Sequence, residues 1–169
     1  MILAPKNTII RIAKAAVIKP PSKLPNLTGK FSVFLAGSIE MDKAEDWQTT
    51  FENAFENQDI TILNPRRDDW DDSWQQEIGN KQFREQVEWE IHAQEQASCI
   101  AMYYDPETKS PITLLELGLF AGSGKLIVCC PDGYWKKGNV DVVCKLYNIQ
   151  MVHTLEDLIR AVARQMKQH

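Results

Sequence analysis

Apolar positions along the chain change period as they go, and the changes mark out alternating strands and helices. Residues 31–36 (FSVFLA) form a short β-prone run that stops at Gly37-Ser38, which reads as a strand followed by a turn. From about residue 42 to 57, Trp47, Phe51, Ala54 and Phe55 fall on one face of a helix. Residues 60–63 give a second strand, stopped by Asn64-Pro65. Residues 64–78 are polar, acidic and Trp-containing with no stable period, and a segment of that length suggests a functional loop. A helix follows over about 80–97, with Phe83, Val87 and Ile91 at i, i+4 and i+8 as its apolar stripe. Residues 98–103 give a third strand, and Asp105-Pro106 opens a loop. Ser110-Pro111 reads as an N-cap with Pro at the first helical position, for a helix over 111–121 that ends in Gly122-Ser123-Gly124. Residues 125–130 and 149–152 supply a fourth and a fifth strand. Thr154 and Asp157 resemble a capping box, with Asp in place of Glu, opening a last helix.

Such alternation implies a parallel sheet covered on both faces. The expected fold is α/β: a flavodoxin-like, doubly wound sheet of about five parallel strands in a single domain. That domain spans 31–169, after a basic, Pro-containing extension over 1–30. Ligands of such sheets sit beyond the carboxyl ends of the strands, at the point where strand order reverses. This selects the loops after the first, third and fourth strands and the turn that starts the helix at Pro111.

Composition narrows the function. The net charge of −4 hides an asymmetry: residues 1–30 carry six Lys or Arg and no acid, leaving 13 basic and 23 acidic residues elsewhere. An acidic body argues against nucleic acid as a partner, since that needs a clustered basic face. The basic start contains one Arg, one Ser and a Pro-rich end, unlike a mitochondrial presequence. No apolar run approaches the roughly 18–20 residues that span a bilayer, so no membrane role is expected. Cys99, Cys129, Cys130 and Cys144 lack metal or redox spacing and read as reduced, mostly buried thiols of a cytoplasmic protein. No cofactor or metal is expected, and His92, His153 and His169 are scattered.

The chemistry falls on a few side chains. Glu116 is the only charge in the most apolar helix, where a carboxylate is costly unless it has partners or a task. It lies about five residues past the N-cap, where the positive end of the helix dipole would help keep it ionised. The alternative is a carboxylate emerging on a polar side of the helix. Glu90 falls three residues after Val87, beside the apolar stripe of its own helix; it either leans toward the sheet or lies on the surface. Two converging carboxylates suit glycosidic chemistry, and a separation of about 5–5.5 Å would favour a covalent, retaining route. Gly37-Ser38 can meet sugar or phosphate oxygens, although every βα unit needs a turn. Gly122-Ser-Gly-Lys125 precedes a strand and reads as a helix end, not a phosphate loop. Trp70 and Trp74 either stack on a base or anchor their loop.

Together these residues resemble the nucleoside 2-deoxyribosyltransferase family, including its deoxynucleoside 5′-monophosphate N-hydrolase relatives. The pieces are Phe34-Leu-Ala-Gly-Ser-Ile39, Asn64-Pro-Arg-Arg67, Val87-Glu-Trp-Glu90 followed by Ala97-Ser98, Pro111-Ile-Thr-Leu-Leu-Glu-Leu-Gly118 and Gly138-Asn139-Val140. The resemblance implies that Glu116, in the Glu-Leu-Gly motif, is a nucleophile that attacks the sugar C1′ and expels the base. A second base or water would then take the sugar. Glu90 stands where the family usually has an Asp contacting sugar or base. Ser110 stands six residues before the nucleophile, where the monophosphate hydrolases have Ser and the nucleoside transferases an acid. Gly37 and Ser38 match the sugar- or phosphate-side loop. Asn139 matches a polar residue that completes a neighbouring subunit's site, which implies a homodimer or larger homo-oligomer. The implied partner is a small deoxynucleoside or deoxynucleotide. A non-catalytic nucleotide sensor with the same pocket, and an enzyme for another N-glycoside, are the competing readings.

Overall fold

The computed structural model describes residues 13–39, 45–71 and 73–169, and within them a six-stranded, all-parallel sheet in the order β1-β3-β2-β4-β5-β6. The strands are β1 (Ala16–Ile18), β2 (Ser32–Gly37), β3 (Thr61–Leu63), β4 (Cys99–Tyr103), β5 (Leu126–Cys129) and β6 (Gln150–Val152). Between and after them run α1 (Trp47–Ala54), α2 (Lys81–Gln96), α3 (Pro111–Phe120), α4 (Lys137–Leu146) and α5 (Leu155–Met166). Without β1, the order is that of a doubly wound, flavodoxin-like sheet, which reverses between β2 and β4.

Register follows from burial on both faces. Val33 lies opposite Ile62 on one side and Cys99 on the other. A one-residue slip would move every side chain of the strand to the opposite layer. Val33 and Leu35 of β2 pack with Trp47, Phe51 and Phe55 of the α1 segment and Leu158 and Val162 of α5. Phe34 and Ala36 face the other layer, with Trp89 and Ala93 of α2, Leu117 of α3, and Val140 and Cys144 of α4. Each fully buried aliphatic side chain of this kind stabilises the fold by about 1.5–3 kcal/mol.

The five strands read from the sequence are all present, and the edge strand β1 adds a sixth. Ala16–Ile18 pairs in parallel with β3, so part of the basic N-terminal stretch belongs to the sheet. The chain then crosses α2, where the Trp89 indole N–H donates to the Ser22 carbonyl at 2.9 Å. The first part of the helix expected over 42–57 lies outside the described residues, and Ala54 is exposed, not core-facing. Helix α4 was not expected, and Val140 and Cys144 are its buried side.

The largest departure concerns α2. Its buried side carries Gln86, Trp89, Ala93 and Gln94, whereas Val87 is exposed and Phe83 and Ile91 are only half-buried. Trp89 decides the rotation. Its ring packs 6.4 Å from that of Phe34 under the crossing N-terminal segment, and one buried indole outweighs the smaller stripe beside it. At the chain's end, Thr154 caps α5 as expected: its Oγ1 accepts from the Asp157 N–H at 3.1 Å and donates to the Asp157 carboxylate at 2.9 Å.

Candidate active site

The rotation of α2 carries a polar stripe inward. Gln86, Glu90 and Gln94, spaced four residues apart, share one face and meet Glu116 from α3. The Gln94 Nε2 donates to Glu116 Oε1 at 2.7 Å and to the main-chain carbonyl of Glu90 at 3.3 Å. The Gln86 Nε2 donates to Glu90 Oε1 at 2.7 Å and to the Pro65 carbonyl at 3.0 Å. Each carboxylate therefore has one amide donor, and neither is ion-paired with a described residue.

Burial dominates the electrostatics. Glu116 is buried, and loss of solvent, reinforced by the charge of Glu90 and opposed by the Gln94 hydrogen bond, pushes its carboxyl up to about 8. Burial likewise pushes Glu90 up to about 7 against the hydrogen bond from Gln86. The expectation that the helix dipole keeps Glu116 ionised is therefore corrected. The residue lies beyond the first turn of α3, where the dipole has largely faded, and desolvation prevails. Both carboxyls are thus raised toward neutrality, Glu116 further than Glu90 because the charge of Glu90 adds to its burial.

A second polar group lies at the start of α3. Ser38 Oγ contacts the hydroxyls of Thr108, at 2.8 Å, and Ser110, while Thr108 and Ser110 lie 2.7 Å apart; all three residues are buried. The Asp105 N–H donates to Ser38 Oγ at 3.1 Å, and Thr108 donates to the Asp105 carbonyl at 3.0 Å. Ser110 occupies the N-cap position but makes no capping hydrogen bond; its backbone is left-handed (φ 43°) and its hydroxyl turns to the cluster. Pro111 lacks an N–H, so the helix start has one donor fewer to satisfy.

Gly37 brings β2 and β4 together where this loop begins. A Cβ there would overlap the Tyr103 carbonyl oxygen and come within 3.0 Å of the Trp47 ring. Tyr103 and Tyr104 are core residues: Tyr103 packs against Trp47, and Tyr104 against Tyr134. In the long loop Trp70 and Trp74 pack against each other, ring centroids 5.1 Å apart, with the Arg67 guanidinium 4.8 Å from the Trp74 ring. Asn139 is exposed in the first turn of α4, and no hydrogen bond joins it to the carboxylate pair. Gln86, Gln94 and Thr108 were missed from sequence; the four-residue spacing around Glu90 was the available signal for the first two.

A doubly wound parallel sheet with polar side chains gathered beside its reversal point defines a flavodoxin-like α/β protein. The family model described as nucleoside 2-deoxyribosyltransferase like matches residues 30–134, and the chain belongs to that family. The matched span includes Glu90, Glu116 and all three hydroxyls and stops short of Asn139. Among curated proteins no significant match is found.

Proposed function

We propose that the protein cleaves or exchanges the N-glycosidic bond of 2′-deoxynucleosides or their 5′-monophosphates through a deoxyribosyl–Glu116 intermediate. The observation that carries this reading is the Glu90–Glu116 pair: a half-buried and a buried carboxyl, each held by a glutamine amide and each raised by loss of solvent, in a chain of this family. Glu116, the more strongly raised of the two, passes its proton to Glu90; the Glu116 carboxylate then attacks C1′ and forms a C–O bond. The C1′–N bond breaks, and its electron pair leaves with the base, which takes the proton from Glu90. Water or a second base then attacks C1′, returns a proton to Glu90 and frees Glu116. Ser110 lies six residues before Glu116, about 9 Å along the helix, a span that suits a pentose with its 5′ end at the Ser38–Thr108–Ser110 hydroxyls.

Incubation with a panel of 2′-deoxynucleosides and 5′-monophosphates, with and without a second base, tests this. Free base alone identifies a hydrolase, and a new nucleoside identifies a transferase. Binding without turnover throughout would instead establish a sensor. A 2-fluoro sugar should add mass at Glu116, and a label on another residue would move the nucleophile.

The working form in this reading is a homodimer. The outward side of α3 exposes Ile112, Leu115 and Leu119 by 59%, 59% and 58% with no charge among them, and a helix apolar all round calls for cover on both sides. Asn139, on the neighbouring helix, would then serve the second copy's site. Leu115→Glu is expected to halve the mass measured by light scattering; a wild-type monomer at micromolar concentration would remove the dimer from the reading.

A further inference from the structure

Two features of the site have no role in the chemistry so far: the amides of Gln86 and Gln94. Both residues are buried, and in both the Oε1 atom is enclosed without a hydrogen-bond partner. Their orientation is nevertheless fixed. The two N–H groups of Gln94 are spent on a carboxylate oxygen and a main-chain carbonyl, and those of Gln86 likewise. Both kinds of partner only accept, so rotating either amide by half a turn would set oxygen against oxygen twice. A buried acceptor is left over because the donors are needed elsewhere.

The two sides of Glu116 are therefore unequal. Oε1 receives the Gln94 amide at 2.7 Å, whereas no described residue donates to Oε2. The amide is itself tethered to the Glu90 carbonyl one turn back on α2. One rigid helix thus holds Glu90 through Gln86 and Glu116 through Gln94. The geometry points to Gln94 as the positioning residue of the nucleophile: it grips Glu116 through Oε1 and leaves Oε2 as the oxygen that attacks C1′. This rests on Glu116 being the nucleophile. The hydrogen bond stabilises the carboxylate over the carboxylic acid, so it also widens the pH range in which an attacking anion exists. Among the described residues the other titratable groups around Glu116 are Glu90 from α2 and Tyr104 just past β4, and Tyr104 stays neutral, its hydroxyl donating to the Thr113 carbonyl.

Gln94→Met keeps the length of the side chain and removes both donors. It is expected to raise the acidic limb of the kcat–pH profile by about one unit. Turnover at pH 7 should fall about 30-fold, recover in part at higher pH, and leave KM within about threefold, as for an interaction made chiefly in the transition state. Titration of the Glu116 carboxyl by carbon NMR gives a readout that needs no turnover, and its midpoint should rise by the same unit. A folded variant with an unmoved midpoint and limb overturns the assignment. Should Gln94→Met fail to fold, Gln94→Asn, which withdraws the amide by one methylene, carries the same expectation. A wild-type protein that cleaves no nucleoside defeats the functional reading, while the NMR midpoint still decides whether Gln94 controls Glu116.

Discussion

Glu116→Gln is expected to lower turnover by about 10³-fold or more and, at pH 8, to make the protein more stable. In the proposed mechanism the first effect follows from removing the nucleophile: an amide of nearly the same shape still accepts from Gln94 but cannot form the C1′–O bond. The second follows from linkage. The Glu116 carboxyl is raised from 4.5 to about 8 by the fold, so the native state holds a proton that the unfolded chain gives up. Stability conferred on this group's neutral form is fully present below pH 4.5 and is lost as pH rises toward 8. The neutral amide never incurs that loss. The gain in stability should be near zero at pH 4.5 and reach on the order of 2–4 kcal/mol at pH 8. Chemical denaturation at the two pH values checks it, and equal effects at both would mean that burial does not strain Glu116.

Gly37→Ala should cost about 3 kcal/mol and lower Tm by roughly 6–12 °C for a chain of this size. The residue has φ 152° and sits opposite Tyr103 in the β2–β4 register. The atoms a methyl group would strike are the carbonyl oxygen and N–H of Tyr103, main-chain atoms at the centre of the sheet that cannot turn aside. Relief requires β2 and β4 to part where Ser38 begins its hydrogen bonds. Activity should therefore fall further than the change in folded population explains. Thermal unfolding followed by circular dichroism decides this; a Tm within 2 °C of wild type would show that the strands separate easily.

Those two sites differ in how well they could be read in advance. Glu116 announced itself as a lone charge in hydrocarbon, and the turn at Gly37-Ser38 by its place after an apolar run. Strands β2 to β5 were legible because buried parallel strands read as unbroken apolar runs; β6, an edge strand with Gln150 exposed, showed only as a short run before the α5 cap. Strand β1 was not, since Ala-Val-Ile between lysines has no pattern of its own and is defined by its partner β3. Helix α4 has a glycine in its first turn and only two buried residues, so the sheet it covers decides its fate more than propensity does. The misreading of α2 is the most informative. Hydrophobic periodicity located Phe83, Val87 and Ile91, but the side that faces inward is marked by Gln86, Glu90 and Gln94, and polar residues at helical spacing look like a solvated face. A buried polar stripe becomes visible only when the partners that satisfy it are in place.

The three hydroxyls at the start of α3 have a simple proton count. Thr108 gives its hydrogen to the Asp105 carbonyl, so at most two protons remain for the three oxygen–oxygen contacts among Ser38, Thr108 and Ser110. At least one contact is therefore a meeting of lone pairs. A small rotation about a C–O bond moves that gap from one edge of the triangle to another without shifting any heavy atom. An incoming hydroxyl can fill it with a proton, and an incoming anion can draw a proton outward. The triangle can answer a donor or an acceptor alike, so in the proposed reading a preference between a bare sugar and a charged one would be written in the fixed charges around it rather than in these hydroxyls.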